Sequence, residues 1–453
     1  MDFHGKPVVV VGIGVSNMPL IRHLRKKGAV VTACDRKSEA ELGERAEELR
    51  RLGVTLCTGA GYLEPLAHHD LIFLTPGIPK HLPEIEAARA RGAIIVGEIG
   101  LVLAYCRAPV IGITGSAGKT TTTTLVGEIL KAAGHQVYVG GNIGTPLVEQ
   151  AESVPPEAKV VLELSSFQLQ LTGGRSPHIG VITNISPNHL DVHASMEEYV
   201  EAKKNIFRYQ KPEDIVILNA DDPLVRSFAA EAPARVVFFS RQADPGTETC
   251  AFVRGDELIW RDQNREVPVL KVQELKLMGL HNLENALAAM AAAFLAGAGP
   301  EAVRSVLTTF AGVEHRLEPV RVINGARWYN DSKATSPTEA VAALRTLEAP
   351  IVLIAGGSDK GIPFDPMAPL VVEKVKALIL TGPTAPKIEE TVRRYGYNRV
   401  LHHARDMEEA VRLAYQEAQP GDNVVLSPAC ASFDAYRNFE ERGRHFKSLV
   451  AAL

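Results

Sequence analysis

Residues 112–121 read GITGSAGKTT, and this stretch decides the fold class. An apolar run at 108–111 precedes it, and a helix-forming run at 125–133 follows it. A strand, a glycine-rich loop and a helix in this order form a phosphate cradle, because backbone N–H groups converge on oxyanions at a positive helix N-terminus. The strict pattern would have glycine in place of Ile113. The stretch therefore predicts a variant loop that binds nucleotide phosphates, without fixing the class of enzyme.

Two side chains of this loop carry separate chemistry. Lys119 is expected to reach the β- and γ-phosphates of ATP, and the Thr120 hydroxyl is expected to ligate Mg²⁺. The alternative interpretation is a turn that only caps a helix. The residues expected to bind ATP here are Gly115, Ser116, Ala117, Gly118, Lys119, Thr120 and Thr121.

Length and composition describe an ordinary globular protein. The 453 residues allow two to four domains, and 46% of them are hydrophobic and 23% charged. A net charge of −4 gives no basis for a nucleic-acid partner. No signal peptide is evident, and the apolar runs are too short for membrane insertion. Five scattered cysteines without a Cys-x-x-Cys pair fit buried free thiols, so we expect a cytoplasmic protein.

Alternating strand and helix signals predict an α/β protein of three consecutive domains. The boundaries are 1–97, 98–312 and 313–453, with Rossmann-like first and third domains and a P-loop ATPase-like parallel sheet between them. A less regular insertion lies at about 241–277, and Asn324-Gly325 predicts a tight hairpin turn. The predicted strands are 8–11, 29–34, 70–74, 94–96, 137–139, 160–164, 180–183, 215–218, 236–239, 251–254, 258–261, 351–355, 377–380, 400–402 and 424–426.

A second glycine turn follows the first predicted strand. Gly12-Ile13-Gly14 and Asp35, about twenty residues later, mimic the dinucleotide-binding fingerprint. The third glycine of that fingerprint is replaced by Asn17, whose side chain opposes close helix–strand packing. The turn therefore favours another nucleotide diphosphate over NAD. Residues 75–79, at the end of a later strand, would add backbone donors on the same edge. The alternative interpretation of this stretch is a turn that only ends the strand.

The central unit contains candidate metal ligands. Glu163 ends an apolar strand, where a carboxylate is costly unless it is paired or binds a cation, so a Mg²⁺ ligand is predicted. His189 follows the next strand as a metal ligand or an orienting donor, although a lone loop histidine is usually neither. Tyr199 and Lys203 are spaced to stack on one helix, where lysines are by default solvated.

Eight stretches, in order over essentially the whole chain, together resemble the Mur ligase family. They are 114–121, 162–168, 188–191, 199–203, 281–286, 315–316, 330–335 and 426–434. Within the family, residues 427–443 are most similar to the members that add D-glutamate. The resemblance implies peptidoglycan precursor synthesis from UDP-N-acetylmuramoyl-L-alanine and D-glutamate, with the acid activated by ATP as an acyl phosphate.

The resemblance also implies a metal site with two Mg²⁺ ions. Thr120 and Glu163 match holders of one ion, and His189 matches a residue at the second. Lys203 matches a carbamylated lysine, in which bound CO2 converts an ammonium into an anion that supports the second metal. That conversion requires a depressed lysine pKa.

The remaining roles are carried over residue by residue. Asn282 and Asn285 match adenine contacts, Arg316 a phosphate contact and Asp331 a ribose contact. The UDP cradle would contain Val15, Ser16, Asp35, Arg36, Thr75 and Gly77. The sugar–alanine arm would contact Asn142, Ser165 and Gln168. The D-glutamate carboxylates would contact Lys333, Thr335, Lys360, Ser432 and Phe439. We expect a monomer.

Several alternatives stay open at this point. A diaminopimelate-adding Mur ligase would carry an Asp-Asn-Pro-Arg stretch that the third unit lacks. A folylpolyglutamate synthase would lack a UDP-binding first unit. A nucleotide switch without catalysis would not need Glu163 and His189 beside the loop, and an NAD oxidoreductase is disfavoured by Asn17.

Overall fold

The computed structural model describes residues 3–14, 17–187, 193–277, 279–359 and 361–453. The chain forms two compact units, Met1–Phe310 and Ala311–Leu453. The first unit contains two β-sheets and the second contains one. Val15, Ser16, His189 and Lys360 of the expected sites lie outside the described residues.

The N-terminal sheet is parallel, with strand order β3-β2-β1-β4-β5. Its strands are β1 (Pro7–Val11), β2 (Val30–Asp35), β3 (Thr55–Thr58), β4 (Leu71–Leu74) and β5 (Ile94–Val96). The accompanying helices are α1 (Asn17–Lys26), α2 (Glu39–Leu42), α3 (Glu44–Arg51), α4 (Pro83–Ala90) and the connecting α5 (Glu98–Tyr105). The strand order reverses between β1 and β4, and ligands of such sheets bind at the carboxyl edge of this point.

The second sheet has the order β14-β13-β12-β11-β10-β9-β6-β8-β7, antiparallel only from β12 to β14. Its strands are β6 (Val110–Thr114), β7 (Val137–Gly141), β8 (Lys159–Glu163), β9 (Ile179–Ile182), β10 (Ile215–Asn219), β11 (Arg235–Ser240), β12 (Cys250–Arg254), β13 (Glu257–Asp262) and β14 (Arg265–Lys271). Its helices are α6 (Lys119–Ala132), α7 (Ser166–Leu169), α8 (Met196–Lys204), α9 (Pro223–Ser227), α10 (Leu280–Leu295) and α11 (Pro300–Leu307). The alanine-rich α10 is buried along most of its length against α6, as expected of a helix that is apolar nearly all round.

The third sheet forms the second unit, with the order β15-β16-β20-β17-β18-β19. Its strands are β15 (Glu318–Ile323), β16 (Ala326–Asn330), β17 (Ile351–Gly356), β18 (Val375–Thr381), β19 (Val400–Ala404) and β20 (Asn423–Leu426). Its helices are α12 (Pro337–Thr346), α13 (Ala368–Lys374), α14 (Ala385–Arg394), α15 (Met407–Glu417) and α16 (Phe439–Ala452). Only the β15–β16 pair is antiparallel.

The predicted fold class, α/β with three parallel-rich sheets, is confirmed. The hairpin prediction is also confirmed, because Ile323 pairs with Ala326 across Asn324 and Gly325, which both have positive φ. The edge strands β3 and β14 were absent from the sequence prediction. Cys34, Cys250 and Cys430 are buried as expected, but Cys57 and Cys106 are only partly so. Among the described residues, none of the helices has the length and apolarity needed to cross a bilayer.

Candidate active site

The phosphate loop connects β6 to α6 at the carboxyl edge of the second sheet. Gly118, the residue before α6, has φ 82°, and a Cβ there would overlap Asn285 Oδ1 of α10. Asn285 is buried and accepts a hydrogen bond from Thr122 Oγ1 at 3.4 Å. The structure thus brings Asn285 and its neighbour Asn282, whose Oδ1 accepts from Asn285 Nδ2, to the phosphate loop.

The loop is held by the residues that follow β9. Thr183 Oγ1 donates to the Ala117 carbonyl at 2.6 Å, and Asn184 Oδ1 accepts from the Ala117 N–H at 2.9 Å. The Ser116 N–H donates to the Asn184 carbonyl at 2.9 Å. These contacts fix the exposed tip of the loop before any nucleotide arrives, which is the preorganisation that electrostatic catalysis needs.

Lys119 turns back over its own loop. Its Nζ donates to the carbonyls of Gly115 at 3.0 Å and Ser116 at 3.1 Å. Thr120 and Thr121 follow in the first turn of α6, where Thr120 is buried. An ammonium that is held by carbonyls next to converging N–H groups places positive charge where phosphate oxygens would bind.

Glu163 ends β8, which pairs with β6 so that Glu163 faces Ile113 across the ladder. The carboxylate is buried, and its Oε1 accepts from Asn142 Nδ2 at 2.8 Å. Its Oε2 has no hydrogen-bond partner within the described part of the chain. A buried carboxylate oxygen without a partner is costly, and oxygen ligands are the ones that Mg²⁺ prefers. Glu163 and the Thr120 hydroxyl therefore fit a Mg²⁺ ion.

Lys203 lies on α8 and is 1% exposed, so the default interpretation as a solvated lysine is wrong for this residue. Its Nζ donates to the Gly115 carbonyl at 2.8 Å and to Thr114 Oγ1 at 3.2 Å. Burial, with a smaller contribution from Lys119, lowers the pKa of the Lys203 amine well below its usual value, and Glu163 opposes this shift. The described site thus brings Lys119, Glu163 and Lys203 together at one sheet edge.

Tyr199 connects this lysine to the phosphate loop, one helical turn before it. The Lys203 Nζ lies 4.7 Å from the centroid of the Tyr199 ring, and the Tyr199 hydroxyl is 2.9 Å from Ser116 Oγ. The predicted stacking of these two residues on one helix is confirmed. His189, the other expected metal ligand, lies outside the described residues.

The carboxyl edge of the N-terminal sheet carries the expected UDP residues. Asp35 Oδ2 accepts from the Ile13 N–H at 2.7 Å, so the carboxylate holds the glycine turn. Asn17 Nδ2 donates to the carbonyls of Val11 and Gly12, which explains why a polar residue stands where NAD-binding folds have glycine. Thr75 lies against Gly12 across the point where the strand order reverses. Arg36 and Gly77 are exposed near this edge, whereas Val15 and Ser16 lie outside the described residues.

The residues expected for the sugar–alanine arm surround the end of β8. Ser165 and Gln168 form a capping box at the start of α7, with Gln168 Oε1 accepting from both the N–H and the hydroxyl of Ser165 at 3.0 Å. Asn142 is exposed and donates its backbone N–H to the Glu163 carbonyl at 2.8 Å. The structure brings these three residues to the edge that also holds the phosphate loop.

In the second unit, Asp331 follows β16 and lies beside the end of β20. Its Oδ2 accepts from Ser427 Oγ at 2.7 Å, and its Oδ1 accepts from the Leu317 N–H at 3.0 Å. Burial raises the pKa of the Asp331 carboxyl to about 7, against these hydrogen bonds. Arg316 is exposed next to Leu317.

The expected amino-acid residues gather near the same sheet edge of this unit. Lys333 and Thr335 follow Asp331, with Thr335 Oγ1 donating to Glu339 Oε2 at 3.4 Å. Ser432 is buried after β20, and Phe439 begins α16, where its carbonyl accepts from Ser332 Oγ at 2.8 Å. Lys360 lies outside the described residues.

One organising residue of this edge was missed by the sequence-based site prediction. Arg442 is buried on α16 and donates to the carbonyls of Ser332 at 2.8 Å and Cys430 at 3.1 Å. It therefore connects the loop after β16 to the loop after β20. Its spacing from Phe446 and Val450, four and eight residues on, placed it on the apolar face of a helix and could have indicated a buried guanidinium.

Family models match the chain in three consecutive segments. The N-terminal domain of MurD-like Mur ligases matches residues 6–97, the Mur ligase middle domain matches 113–293, and the Mur ligase glutamate ligase domain matches 315–430. The chain belongs to the Mur ligase family. The earlier resemblance is thereby confirmed, and the three matched segments correspond to the three sheets.

Named relatives of this Mur ligase are similar over nearly their whole length. A UDP-N-acetylmuramoylalanine–D-glutamate ligase of Symbiobacterium thermophilum is 74% identical over 98% of this chain and 97% of its own. A ligase of the same name from Acetivibrio thermocellus is 47% identical over 99% and 97%. The solved structure of a pseudomurein peptide ligase type C from Methanothermus fervidus covers 99% of this Mur ligase and 100% of that chain, with a TM-score of 0.57 and 23% identity. The last comparison supports the fold alone.

Proposed function

We propose that the chain is an ATP-dependent ligase that joins D-glutamate to UDP-N-acetylmuramoyl-L-alanine in peptidoglycan precursor synthesis. The observation that carries the proposal is the arrangement at one sheet edge of Lys119, the Glu163 oxygen that has no partner among the described residues, and the buried amine of Lys203. Relatives at 74% and 47% identity bear the name of this activity. Mur ligases use ATP and Mg²⁺. The phosphate loop fits ATP, and the oxygen donors of Thr120 and Glu163 fit Mg²⁺.

We assign the three substrates to three domains, 1–97 for UDP, 98–312 for ATP and 313–453 for the amino acid. The UDP moiety would bind where the N-terminal strand order reverses, at Val15, Ser16, Asp35, Arg36, Thr75 and Gly77. Backbone N–H groups of such a turn suit a diphosphate, and the side chain of Asn17 argues against NAD. The sugar–alanine arm would then extend toward Asn142, Ser165 and Gln168.

ATP would bind through its phosphates at 115–121 and through its base at Asn282 and Asn285. Arg316 would contact a phosphate and Asp331 the ribose. Thr120 and Glu163 would hold Mg²⁺, which supplies charge neutralisation at the phosphates. A second ion would involve His189 and Lys203. The amino-acid carboxylates would be read by Lys333, Thr335, Lys360, Ser432 and Phe439.

The chain's own residues account for the chemistry that a ligase needs. A carboxylate is inert toward an amine, so a carboxylate oxygen of the alanyl group must first attack the γ-phosphorus of ATP. The β–γ phosphoanhydride bond breaks, ADP leaves, and the substrate becomes an acyl phosphate. Lys119 would stabilise the charge that moves onto the bridging and terminal oxygens. The amine of D-glutamate then attacks the acyl carbon, and the tetrahedral intermediate expels inorganic phosphate to leave the amide.

We further propose that Lys203 carries a carbamate. Its buried amine has a lowered pKa, and only a neutral amine can attack CO2. The amine nitrogen bonds to the CO2 carbon and loses one proton, so that a cation becomes an anion that can support a metal ion. We expect K203A to lose more than about 10²-fold in kcat, because it removes that electrostatic support.

Added short-chain carboxylic acids test the carbamate directly. Partial recovery of K203A activity with such acids is the expected result, because the added carboxylate replaces the missing anion. K204M is the matched control, since Lys204 is its neighbour on α8 but pairs with Glu231. Unimpaired turnover of K203A would contradict the carbamate role.

The activity itself is tested by phosphate release from the purified chain with ATP, Mg²⁺, UDP-N-acetylmuramoyl-L-alanine and a panel of amino acids. Release with D-glutamate alone is the expected result. Release with an L-diacid, or with a folate in place of the UDP-sugar, would assign a different ligase activity. Nucleotide binding without release in any mixture would favour a non-catalytic switch. We also propose a cytoplasmic monomer, which light scattering on the purified chain and localisation in cells would test.

A further inference from the structure

A buried lysine lies between the N-terminal sheet and α7, outside the residues assigned so far. Lys80 follows the turn after β4 and is 7% exposed. Its Nζ donates to the Pro76 carbonyl, which lies between Thr75 and Gly77 in the proposed UDP cradle. Burial lowers the pKa of the Lys80 amine to about 8, although the carboxylate of Glu198 opposes this shift. The Lys80 ammonium thus closes this turn by its hydrogen bond to the Pro76 carbonyl. Burying the ammonium costs desolvation free energy that a lysine on the surface would not lose.

The same ammonium contacts the second sheet through an aromatic ring. Lys80 Nζ lies 5.2 Å from the centroid of the Phe167 ring, within the range of a cation–π contact. Phe167 is on α7, between Ser166 and Gln168. Lys80 therefore joins two segments that are far apart in sequence and that belong to different sheets of the first unit.

Phe167 is itself fixed from its other side. The ring of His193 stacks on Phe167 with centroids 5.0 Å apart and an interplanar angle of 6°. His193 Nε2 is 2.9 Å from Ser166 Oγ, and the His193 ring meets the edge of Tyr199 at 5.3 Å. The ring that Lys80 contacts is thus held in place and cannot rotate away without breaking a stack.

The two contacts flank a small cleft. Pro76 and Gln168 line it, together with Gly97 and Leu171. Pro76 accepts the hydrogen bond of Lys80, and Gln168 follows Phe167 in sequence. Lys80 and Phe167 therefore join two segments that both line this cleft, and we name the pair the Lys80–Phe167 clamp.

We propose that the Lys80–Phe167 clamp consists of two positioning residues for the nucleotide-sugar substrate, which hold the turn after β4 and the start of α7 at the separation that this substrate spans. The inference rests on the proposed function, because the substrate is the UDP-sugar named there. Neither side chain takes part in bond making. Their effect is to order the cleft before binding, so their loss weakens substrate affinity and leaves the phosphate loop intact.

The test measures binding of UDP-N-acetylmuramoyl-L-alanine to the full chain by titration calorimetry without ATP, so that no turnover is involved. The variants are K80M, which keeps an unbranched stem, F167L, which keeps an apolar side chain of similar size, and the double variant. We expect each single variant to bind about ten-fold more weakly. The double variant should bind no more than about twenty-fold more weakly, because both changes break one contact. K80R keeps a cation over the ring and should recover most of the affinity.

A matched control separates the clamp from a general loss of stability. Lys374 of the second unit also donates its ammonium to backbone carbonyls, those of Leu344 and Leu347 at 2.9 and 3.0 Å. K374M should therefore bind the UDP-sugar as the wild type does, even if it melts earlier. Circular dichroism confirms that each variant is folded.

Two results would overturn the clamp while the proposed function stands. One is wild-type affinity in folded K80M and F167L, and the other is a double variant whose loss is the product of the single losses. A folded wild-type chain that binds no UDP-sugar would overturn the proposed function and the clamp's ligand with it.

Discussion

The first unit contains two glycine turns that occupy the same position in two sheets, one parallel and the other parallel except from β12 to β14. Residues 115–118 and residues 12–14 each follow the first strand of their sheet and precede its first helix in the chain. The central turn has a lysine that folds back over it. One strand away lies a buried carboxylate, one oxygen of which has no partner in the part of the chain that the structure describes. The N-terminal turn has no cationic side chain, and Asp35 and Asn17 hold its backbone instead.

This difference separates two tasks that phosphate-binding turns perform. A turn that only binds a diphosphate needs ordered N–H donors, which neutral and anionic side chains can position from behind. A turn that takes part in phosphoryl transfer also needs positive charge fixed where negative charge develops, and a metal ligand within reach. The sequence motif is shared in part, and the side chains around it distinguish the two tasks.

The largest expected effect comes from removing the cation of the central turn. We expect K119M to lower kcat by about 10²–10³-fold, because Lys119 stabilises charge that develops only in the transition state. The affinity of the chain for the UDP-sugar should stay within about two-fold of the wild type, since the N-terminal turn is untouched. Phosphate release gives kcat, and calorimetry gives the affinity.

K131M is the matched control for this change. Lys131 lies at the other end of α6 and pairs with Glu128 on the surface, so its loss should leave both quantities unchanged. A K119M variant that lost UDP-sugar affinity as strongly as kcat would show that the two turns do not have separate tasks.

A smaller effect is expected from the N-terminal turn. D35A removes the acceptor of the Ile13 N–H, so the turn loses the contact that orders it. We expect UDP-sugar affinity to fall about ten-fold, the size of one hydrogen bond to a charged group, and kcat at saturating substrate to stay unchanged. Calorimetry and steady-state kinetics on the same preparation check the two parts.

D256A serves as the control, because Asp256 is exposed on the hairpin between β12 and β13. If D35A reduced kcat and left the affinity for the UDP-sugar intact, Asp35 would act in the reaction and the comparison between the two turns would fail.

The sequence predicted the parts of the fold that local patterns determine. Strand β5 was predicted with its observed limits, and the hairpin at Asn324-Gly325 follows from a turn that demands positive φ at both positions. Strand β3 was missed because Thr55–Thr58 is a short edge strand with a threonine at each end and no fully buried residue. Strand β14 was missed because its ends are charged and Pro268 interrupts it.

In the candidate site, too, local sequence patterns predicted some residues and missed others. Lys119 and Glu163 could be found because each ends or begins an element with a clear apolar pattern. The burial of Lys203 could not, because it depends on α8 packing against β6, two segments about ninety residues apart. Lys80 lies in no motif, Phe167 was given no role within the stretch 162–168, and only the folded arrangement of the two sheets brings them together. Side chains that act by contact across a fold leave little trace in local sequence.

The smallest expected effect concerns the second unit and its dependence on pH. Asp331 has a pKa of about 7 in the folded chain, because burial favours the protonated form. The pKa of an unfolded aspartate is near 3.9, so between about pH 4 and pH 7 the unfolded state releases a proton that the folded state keeps. The free energy of unfolding contributed by this group therefore falls as pH rises through that window. D331N, which cannot ionise, should remove this part of the slope.

Tryptophan fluorescence can follow the second unit by itself. Trp328 is buried on β16, and Trp260 belongs to the first unit, so a W260F background reports on the second unit alone. We expect the thermal midpoints of D331N and the parent to be similar near pH 4 and to differ by several degrees near pH 8, with D331N higher. An equal difference at both pH values would mean that Asp331 is ionised throughout, and its hydrogen bonds to Ser427 and Leu317 would then outweigh burial. Asp331 would then resemble Asp35 at the N-terminal turn, where a carboxylate accepts a hydrogen bond from a backbone N–H. It would not be a protonated buried acid.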